Sequence, residues 1–146
     1  MKLWRFKVKQ KEPQKTAQRL AIYNYIKDNK SHPSVKEVYQ HVSKQLSNIS
    51  LTTVYNTMEL FKKRGHIVEL PVMVQTDSKR YDSTITPHDH MICTACGKVI
   101  DINVDVDRQL LISEDQKHDF DIQKIAINFY GVCSECQTAA GKLFNS

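Results

Sequence analysis

The sequence predicts an α+β fold with two unlike halves, a helical first half and a second half of short strands that two cysteine pairs hold together. Of its 146 residues, 40% are hydrophobic and 25% are charged, as is normal for a globular protein. Residues 1–80 carry 16 Lys and Arg against 6 Asp and Glu, whereas residues 81–146 carry 5 against 10. The basic half favours a polyanionic partner over a merely solvated basic surface. The charge reverses near Pro87, so we expect domains at 1–82 and 83–146.

Two helices are predicted at the start of the basic half. The first covers residues 14–29, which are good helix formers and precede Pro33. The second begins after Ser34, because Ser34 and Glu37 have the spacing of a capping box, in which each side chain bonds the other's backbone amide. Its apolar residues fall on one face of a helix: Val35, Val38, Tyr39, Val42 and Leu46.

A third helix is predicted over residues 51–64, with Gly65 as its stop. It has a similar apolar stripe: Leu51, Val54, Tyr55, Met58 and Phe61. Two β-like runs follow at 67–70 and 72–75. Three helices with a tight turn between the last two, followed by a hairpin, describe a winged helix-turn-helix.

The second half has the pattern of a small α/β unit. Residues 99–104 alternate apolar and polar side chains, as a half-buried strand does. Residues 107–117 are expected to be helical. Residues 120–130 are expected to form a second strand with a bulge at Lys124, where the alternation breaks.

The four cysteines form two Cys-x-x-Cys units, which predict one structural Zn²⁺ site. Each unit places two thiolates on one tight turn, and two such turns complete a tetrahedral sulfur shell. The residues are Cys93, Cys96, Cys133 and Cys136. Two disulfides or a redox dithiol are the alternatives. The N-terminus does not read as a secretory signal and no apolar run could span a bilayer, so we expect a cytoplasmic location without membrane contact, which disfavours disulfides.

A second group of candidate metal ligands surrounds the segment His88-Asp89-His90. In an extended chain, residues two apart point the same way, so both imidazoles can face one ion. The candidate partners are His32, Asp82 and Asp101. This mixed nitrogen and oxygen shell suits Fe²⁺ or Mn²⁺ as well as Zn²⁺. Exposed loop histidines without a ligand role are the alternative.

Five segments, in this order, resemble the ferric uptake regulator (Fur) superfamily across residues 14–137. They are Ser-His-Pro-Ser with Val-Tyr (31–39), Thr-Thr-Val-Tyr-Asn (52–56), Arg-Tyr-Asp (80–82), the stretch from His88 to Asp101, and Tyr-Gly-Val-Cys-Ser-Glu-Cys (130–136). The resemblance implies a homodimeric repressor whose second domain dimerises and whose metal-bound form clamps a palindromic DNA operator. It assigns structural zinc to the four cysteines and a regulatory metal to His32, Asp82, His88, His90 and Asp101.

Asp82 and the segment Thr-Val-Tyr-Asn look most like the peroxide-sensing PerR branch of this superfamily. In that branch, bound Fe²⁺ reacts with hydrogen peroxide and a ligand histidine is oxidised, here His32 or His88. Each molecule reacts once, so this is sensing and not enzymatic turnover. The alternative within the family is an iron- or zinc-concentration-sensing uptake regulator. A zinc-dependent hydrolase is disfavoured because no His-Glu-x-x-His frame is present, and a purely structural zinc adaptor would leave the histidine pair without a role.

DNA contacts are expected from the third helix and from basic residues around it. The third helix offers Thr52, Thr53, Tyr55 and Asn56 near the groove. Phosphate contacts, which set affinity and salt dependence, are expected from Lys15, Arg19, Lys62, Lys63 and Arg64.

Overall fold

The computed structural model describes residues 17–71, 79–108 and 111–144. In chain order the elements are α1 (Ala17–Ile26), α2 (Val35–Val42), α3 (Leu51–Lys63), β1 (Val68–Leu70), β2 (Arg80–Asp82), β3 (Asp89–Cys93), β4 (Val99–Ile102), a 3₁₀ turn (Glu114–Gln116), β5 (Asn128–Gly131) and α4 (Ser134–Phe144). This mixture of helices with two small sheets confirms the α+β prediction. No helix within the described ranges has both the length and the apolar character needed to cross a membrane.

Helices α1, α2 and α3 pack around one apolar core. Their buried side chains come from the predicted stripes: Ile22, Ile26, Val38, Val42, Val54, Met58 and Phe61. Two members of the α3 stripe are an exception, because Leu51 and Tyr55 are exposed, Tyr55 to 46%. Both lie near the start of α3, and the buried part of the predicted stripe is therefore Val54, Met58 and Phe61.

Local capping explains where α2 and α3 begin and end. The Glu37 amide donates to Ser34 Oγ at 3.3 Å, and the Ser34 amide donates to Glu37 Oε2 at 2.7 Å, which confirms the capping box. Ser50 caps α3 in the same way by accepting from the Thr53 amide at 3.1 Å. Gly65 follows α3 with φ of 70°, the left-handed conformation that a helix stop requires and that glycine adopts without a steric penalty.

The wing is a two-stranded antiparallel pair. Val68 pairs with Asp82 and Leu70 pairs with Arg80. The partner of β1 is therefore residues 80–82, which the sequence pattern did not predict to be a strand. The predicted run at 72–75 lies outside the described residues. This pairing carries Asp82 to the end of the wing that faces the second half of the chain.

The second half contains a three-stranded sheet in the order β4-β3-β5. Strands β3 and β4 are antiparallel, with His90 opposite Asp101, whereas β3 and β5 are parallel, with His90 opposite Asn128. The predicted strand at 99–104 is confirmed over its first four residues. Ile92 and Val99 pack against Leu70 of the wing, so the sheet contacts the first half through an apolar cluster.

Three predictions for the second half were wrong. Within residues 107–108 and 111–117 the only helical turn of more than one residue is Glu114–Gln116, because this stretch has charged, exposed side chains and no apolar face to bury. The strand predicted at 120–130 covers only Asn128–Gly131 and has no bulge at Lys124, since residues 121–127 do not pair as a strand. Helix α4 was not predicted.

Candidate metal centre

The four cysteines converge at one end of the sheet. Their Sγ atoms all lie within 4.8 Å of one another, and all four cysteines are free thiols. The Sγ atoms of Cys96 and Cys133 are 3.8 Å apart. A tetrahedral zinc site with bonds of about 2.3 Å has sulfur-to-sulfur edges of about 3.8 Å, whereas a disulfide requires about 2.0 Å. The cluster therefore has the dimensions of a Cys₄ zinc site and not of a disulfide.

Parallel pairing of β3 with β5 brings the two cysteine turns together. Cys93 lies opposite Gly131, and the Thr94 amide donates to the Gly131 carbonyl at 2.8 Å. The Cys133 amide donates to Cys93 Sγ at 3.3 Å. Burial raises the pKa of the Cys93 thiol, but backbone amides, led by that of Cys133, outweigh it and lower the pKa to about 6. Cys93 thus favours the thiolate form that a metal ion needs, whereas hydrogen bonding with Cys133 raises the pKa of Cys136 to about 12.

The five nitrogen and oxygen ligands predicted from sequence also converge, although they come from both halves. His32 lies in the loop between α1 and α2, Asp82 ends β2, and His88 precedes β3. His90 on β3 and Asp101 on β4 face each other across the antiparallel pair. One ligand atom from each of the five lies within 4.8 Å of the others. The cluster therefore joins the winged-helix half to the sheet.

The three imidazole Nε2 atoms approach two carboxylate oxygens. His88 Nε2 is 2.9 Å from Asp82 Oδ2 and 3.1 Å from Asp101 Oδ1. His32 Nε2 is 2.8 Å from Asp101 Oδ1, and His90 Nε2 is 3.5 Å from Asp82 Oδ2. Neighbouring ligand atoms around an ion in octahedral geometry are about 3.0 Å apart when the bonds are about 2.1 Å. The spacing suits a small divalent cation.

The tautomers of His88 and His90 make this cluster rich in lone pairs. His88 Nδ1 is 2.8 Å from the Thr86 carbonyl oxygen and must donate to it, since a carbonyl only accepts. His90 Nδ1 lies 3.3 Å from Asn128 Oδ1 and donates in the same way. In a neutral imidazole the Nε2 atom then carries a lone pair, and it faces carboxylate oxygens that also only accept. A cation between them removes the repulsion.

Buried polar atoms without hydrogen bonds test whether an ion fits. Four of them belong to residues of this cluster, and besides His32 Nδ1 they are the three potential ligand atoms His32 Nε2, His90 Nε2 and Asp82 Oδ2. His32 Nε2 is close to Asp101, but the angle between the groups is not that of a hydrogen bond. Burying an unpaired polar atom is costly, and all three atoms point into the same space. The donor set therefore fits a metal ion.

The Asp82 carboxylate is held ready for this role. Its Oδ1 accepts from the Thr84 amide at 2.7 Å, which leaves Oδ2 for the cluster. Burial raises the pKa of Asp82, but the nearby His32 imidazole and the hydrogen bond from the Thr84 amide hold the pKa below its usual range. Burial likewise opposes the charged form of His32, yet the Asp82 carboxylate raises the pKa of His32. Both pKa shifts arise from the attraction between the Asp82 carboxylate and the His32 imidazole. A bound cation would take the place of this interaction.

The predicted DNA-contacting residues that the structure describes lie on α1 and on α3 or directly after it. Thr52, Tyr55 and Asn56 are exposed on α3, as are Lys63 and Arg64 at its end. Arg19, Thr53 and Asn56 line one hollow of about 300 Å³, and Thr52 and Tyr55 line another of about 490 Å³. Lys15 lies outside the described residues. Lys62 differs from the rest, because its Nζ is 2.8 Å from both Glu59 and Glu69.

Some residues that orient or support the ligands were not predicted from the sequence. Asn128 and Thr86 orient His90 and His88, and Asp89 binds Arg108 and two backbone amides. No spacing motif marks Asn128 or Arg108, because Asn128 reaches His90 through strand pairing and Arg108 reaches Asp89 from the segment after β4. Asp89 could have been recognised from the sequence, because side chains of a strand alternate between its faces and the Asp89 carboxylate must lie on the face opposite to His88 and His90.

Here a winged helix is joined to a sheet through a shared cluster of side chains of the kind that bind metal ions. This combination defines a class of protein, the DNA-binding regulators that carry a metal site. Residues 10–130 match the Ferric uptake regulator family, and the chain belongs to that family. Its members are DNA-binding regulators of transcription that are commonly dimeric.

Three known proteins show the range of this similarity. The peroxide-responsive repressor PerR of Staphylococcus aureus (strain USA300) is 36% identical over 122 residues, which cover 84% of this chain and 81% of PerR. The peroxide stress regulator of Campylobacter jejuni is 29% identical with a TM-score of 0.60, covering 82% of this chain and 88% of that one. A zinc-bound manganese uptake regulator is 30% identical with a TM-score of 0.64, covering 83% and 91%.

Proposed function

We propose that this protein is a metal-dependent transcriptional repressor that loses its DNA when hydrogen peroxide oxidises a ligand histidine. The observation that carries the proposal is the five-residue cluster, which takes His32 and Asp82 from the winged-helix half and His88, His90 and Asp101 from the second half. The similarity to peroxide-responsive PerR supports the choice of signal. The protein acts on DNA in the cytoplasm, and it is a sensor without catalytic turnover.

The two clusters have different tasks in this proposal. Cys93, Cys96, Cys133 and Cys136 hold a structural Zn²⁺ ion, since four thiolates close the coordination shell and leave no position for a substrate. His32, Asp82, His88, His90 and Asp101 hold Fe²⁺ or Mn²⁺, which accept a harder shell, although Zn²⁺ is also accommodated. The domain boundary then falls at residues 82 and 83, directly beside the regulatory ligand Asp82.

The regulatory cluster works as a switch because its ligands belong to two bodies. Filling it favours the arrangement in which His32 meets the sheet, and any ion with that preference shifts the population toward it. In this arrangement α3 is presented to DNA at a fixed angle. Loss of one ligand weakens the link, and the winged helix is no longer held for operator binding.

His32 and His88 are the proposed oxidation targets. A bound Fe²⁺ ion supplies the chemistry that cleaves the O–O bond of peroxide. Overall, one oxygen atom is inserted into a ring C–H bond and the other leaves as water, so the imidazole is the two-electron reductant. His88 is the most exposed of the three histidines, and its Nε2 lies within 3.1 Å of both carboxylates. His32 approaches Asp101 from the other side at 2.8 Å.

Peptide mass mapping tests this function. Zinc-replete protein is loaded with Fe²⁺ or Mn²⁺, treated with dilute hydrogen peroxide and digested. We expect one added oxygen on the His32 or His88 peptide with iron and none with manganese. The peptide of His118, an exposed histidine outside the cluster, is the internal control. If His32 and His88 stay unmodified with iron, peroxide sensing is refuted and the alternative, a sensor of iron or zinc concentration, is favoured. If the protein binds DNA equally well without a metal ion, the regulatory metal itself is refuted.

The same repressor is proposed to bind a palindromic operator as a homodimer. Met91, Ile100 and Phe129 are direct neighbours across β4, β3 and β5 and are 49%, 47% and 46% exposed. An apolar row of this kind on one sheet face fits a second copy of the chain. Sedimentation should show a dimer for the wild type and for Leu20→Glu on α1, and a monomer for Met91→Glu. A dimeric Met91→Glu would exclude this face.

A further inference from the structure

Asp89 is a buried carboxylate that none of the proposed metal chemistry uses. It lies between His88 and His90 in sequence, but successive residues of a strand point to opposite faces of the sheet. The side chain of Asp89 therefore lies behind the strand, on the face away from the regulatory cluster, and the residue is 1% exposed. A carboxylate buried to this degree requires partners.

Three donors meet the Asp89 carboxylate. The Ile127 amide donates to Oδ1 at 2.9 Å, the Val104 amide donates to Oδ2 at 3.2 Å, and Arg108 donates to Oδ2 through Nη2. Arg108 also reaches the Ile125 carbonyl oxygen at 3.5 Å. The carboxylate thereby ties β3 to the segment that follows β4 and to the segment that precedes β5.

The tie controls the strand that carries two of the ligands. Ile127 is held twice, because its amide donates to Asp89 and its carbonyl accepts from the His90 amide at 3.0 Å. The next residue is Asn128, whose Oδ1 accepts from His90 Nδ1. The hydrogen bonds of Asp89 therefore fix how β3 lies against β5 and, through Asn128, the orientation of the His90 ring.

Arg108 supplies the positive charge of this tie. A guanidinium stays protonated throughout the physiological pH range and donates in a rigid planar fork. The hydrogen bond from Arg108, with that from the Ile127 amide, lowers the pKa of Asp89 to about 2. Asp89 and Arg108 thus remain a charged pair with or without a metal ion in front of the strand.

We propose that Arg108 is a positioning residue for the regulatory metal, whose guanidinium fixes Asp89 and through it the placement of His88 and His90. This inference rests on the proposed function. The inference adds to the proposed function a residue that contacts no ligand atom but on which the affinity for the regulatory metal depends. Outer partners of metal ligands typically contribute a factor of about 10–100 to affinity, and we expect a loss in that range when the tie is removed.

Visible absorption of Co²⁺ tests the role of Arg108 in zinc-replete protein. Co²⁺ is titrated into the wild type, Arg108→Gln, Arg108→Lys and Lys124→Gln. Lys124 is exposed in the segment that precedes β5, so its variant is a control matched for charge. We expect wild-type affinity for Lys124→Gln and a loss of about 10–100-fold for Arg108→Gln. Arg108→Lys should fall between them, because lysine restores the charge but not the fork.

The outcomes separate this inference from the proposed function. Wild-type Co²⁺ affinity and an unchanged spectrum in Arg108→Gln, whatever its thermal stability, would overturn the positioning role. If Arg108→Gln loses its zinc or its dimer, Arg108→Lys decides: a weakened or shifted Co²⁺ spectrum with intact zinc supports the role, and an unaltered one overturns it. A wild-type protein that shows no Co²⁺ spectrum, or whose spectrum survives removal of His88 and His90, would refute the regulatory site itself.

Discussion

His32 shows how much one residue contributes to the regulatory cluster. Its backbone has φ of 49°, in the left-handed region where histidine is tolerated better than most residues. The side chain is fully buried, and both ring nitrogens are without a hydrogen bond among the described residues. Arg80 and the Tyr81 amide hold its loop, through the carbonyls of His32 and Pro33. A buried, unpaired imidazole held by its own backbone is well placed for a ligand.

Lys62 and Lys63 are neighbours with different expected roles at the DNA surface. Lys62 lies between Glu59 and Glu69, and these hydrogen bonds raise its pKa, whereas Lys63 is exposed. Each phosphate contact contributes about 0.9 to the slope of log affinity against log salt. We predict that Lys63→Ala reduces this slope by about 1 and that Lys62→Ala reduces it by less than half as much.

Fluorescence anisotropy of Mn²⁺-loaded protein at several salt concentrations measures both slopes. The slope is the diagnostic quantity, since Lys62→Ala also leaves Glu59 and Glu69 without their cation and so weakens affinity by repulsion. Equal reductions in the two variants would mean that Lys62 exchanges its carboxylates for a phosphate on binding.

At this scale, the sequence was informative where chemistry has a fixed spacing. The two Cys-x-x-Cys units and the His-x-His pair identified residues that the fold brings together. Arg108 could not be found in the same way, because its link to Asp89 crosses 19 positions and depends on how the chain returns to β3. Asn128 likewise meets His90 only through the parallel register.

The N-cap of α2, Ser34, lies two residues after His32, so its capping box also anchors the loop that carries this ligand. Arg80 binds the same Glu37 carboxylate that caps the helix, which ties α2 to β2. We predict that Ser34→Ala lowers the free energy of unfolding by about 1 kcal/mol, the usual effect of losing a cap. Urea denaturation followed by circular dichroism measures it.

Ser50→Ala is the matched control for this change. Ser50 caps α3 from an exposed position and accepts from the Thr53 amide, but no reciprocal carboxylate completes a box. Its loss should therefore cost less than the loss of Ser34, and Ser34→Thr should retain most of the stability. If the two alanine variants were equally stable, the Glu37 network would contribute nothing beyond a simple cap.

The elements of the first half were more predictable than those of the second for a physical reason. Helices α1 to α3 each bury an apolar stripe, and such a stripe is visible in sequence. Residues 103–108 and 111–127 have mostly exposed side chains, so helix-forming composition at 107–117 had no buried face to support it among the described residues. Strand β5 is short because only Asn128–Gly131 pair with β3, and pairing cannot be read from one strand alone.

At the scale of the whole molecule, the protein consists of a basic DNA-binding unit and an acidic unit that bears the cysteine cluster and three of the five regulatory ligands. The cysteine cluster lies within the second unit and includes no residue of the first. The regulatory cluster is different, since His32 is its one ligand from before the wing. An ion bound there therefore couples the two units, and the strength of this coupling equals its preference for the joined arrangement.

Removing His32 should uncouple the two units while leaving each intact. We predict that His32→Asn folds, since asparagine also tolerates the left-handed backbone, and that it keeps its zinc and its dimer. Its Mn²⁺-dependent gain in DNA affinity should fall by more than about 100-fold, beyond the effect expected for an outer partner. Anisotropy titrations on palindromic DNA measure the gain, and small-angle scattering should show that Mn²⁺ compacts the wild type but not the variant.

His41→Asn is the matched control, because His41 is an exposed histidine of α2 outside the cluster. This variant should respond as the wild type does. A full Mn²⁺ response in His32→Asn would mean that the other four ligands are sufficient and that the winged helix is positioned without His32.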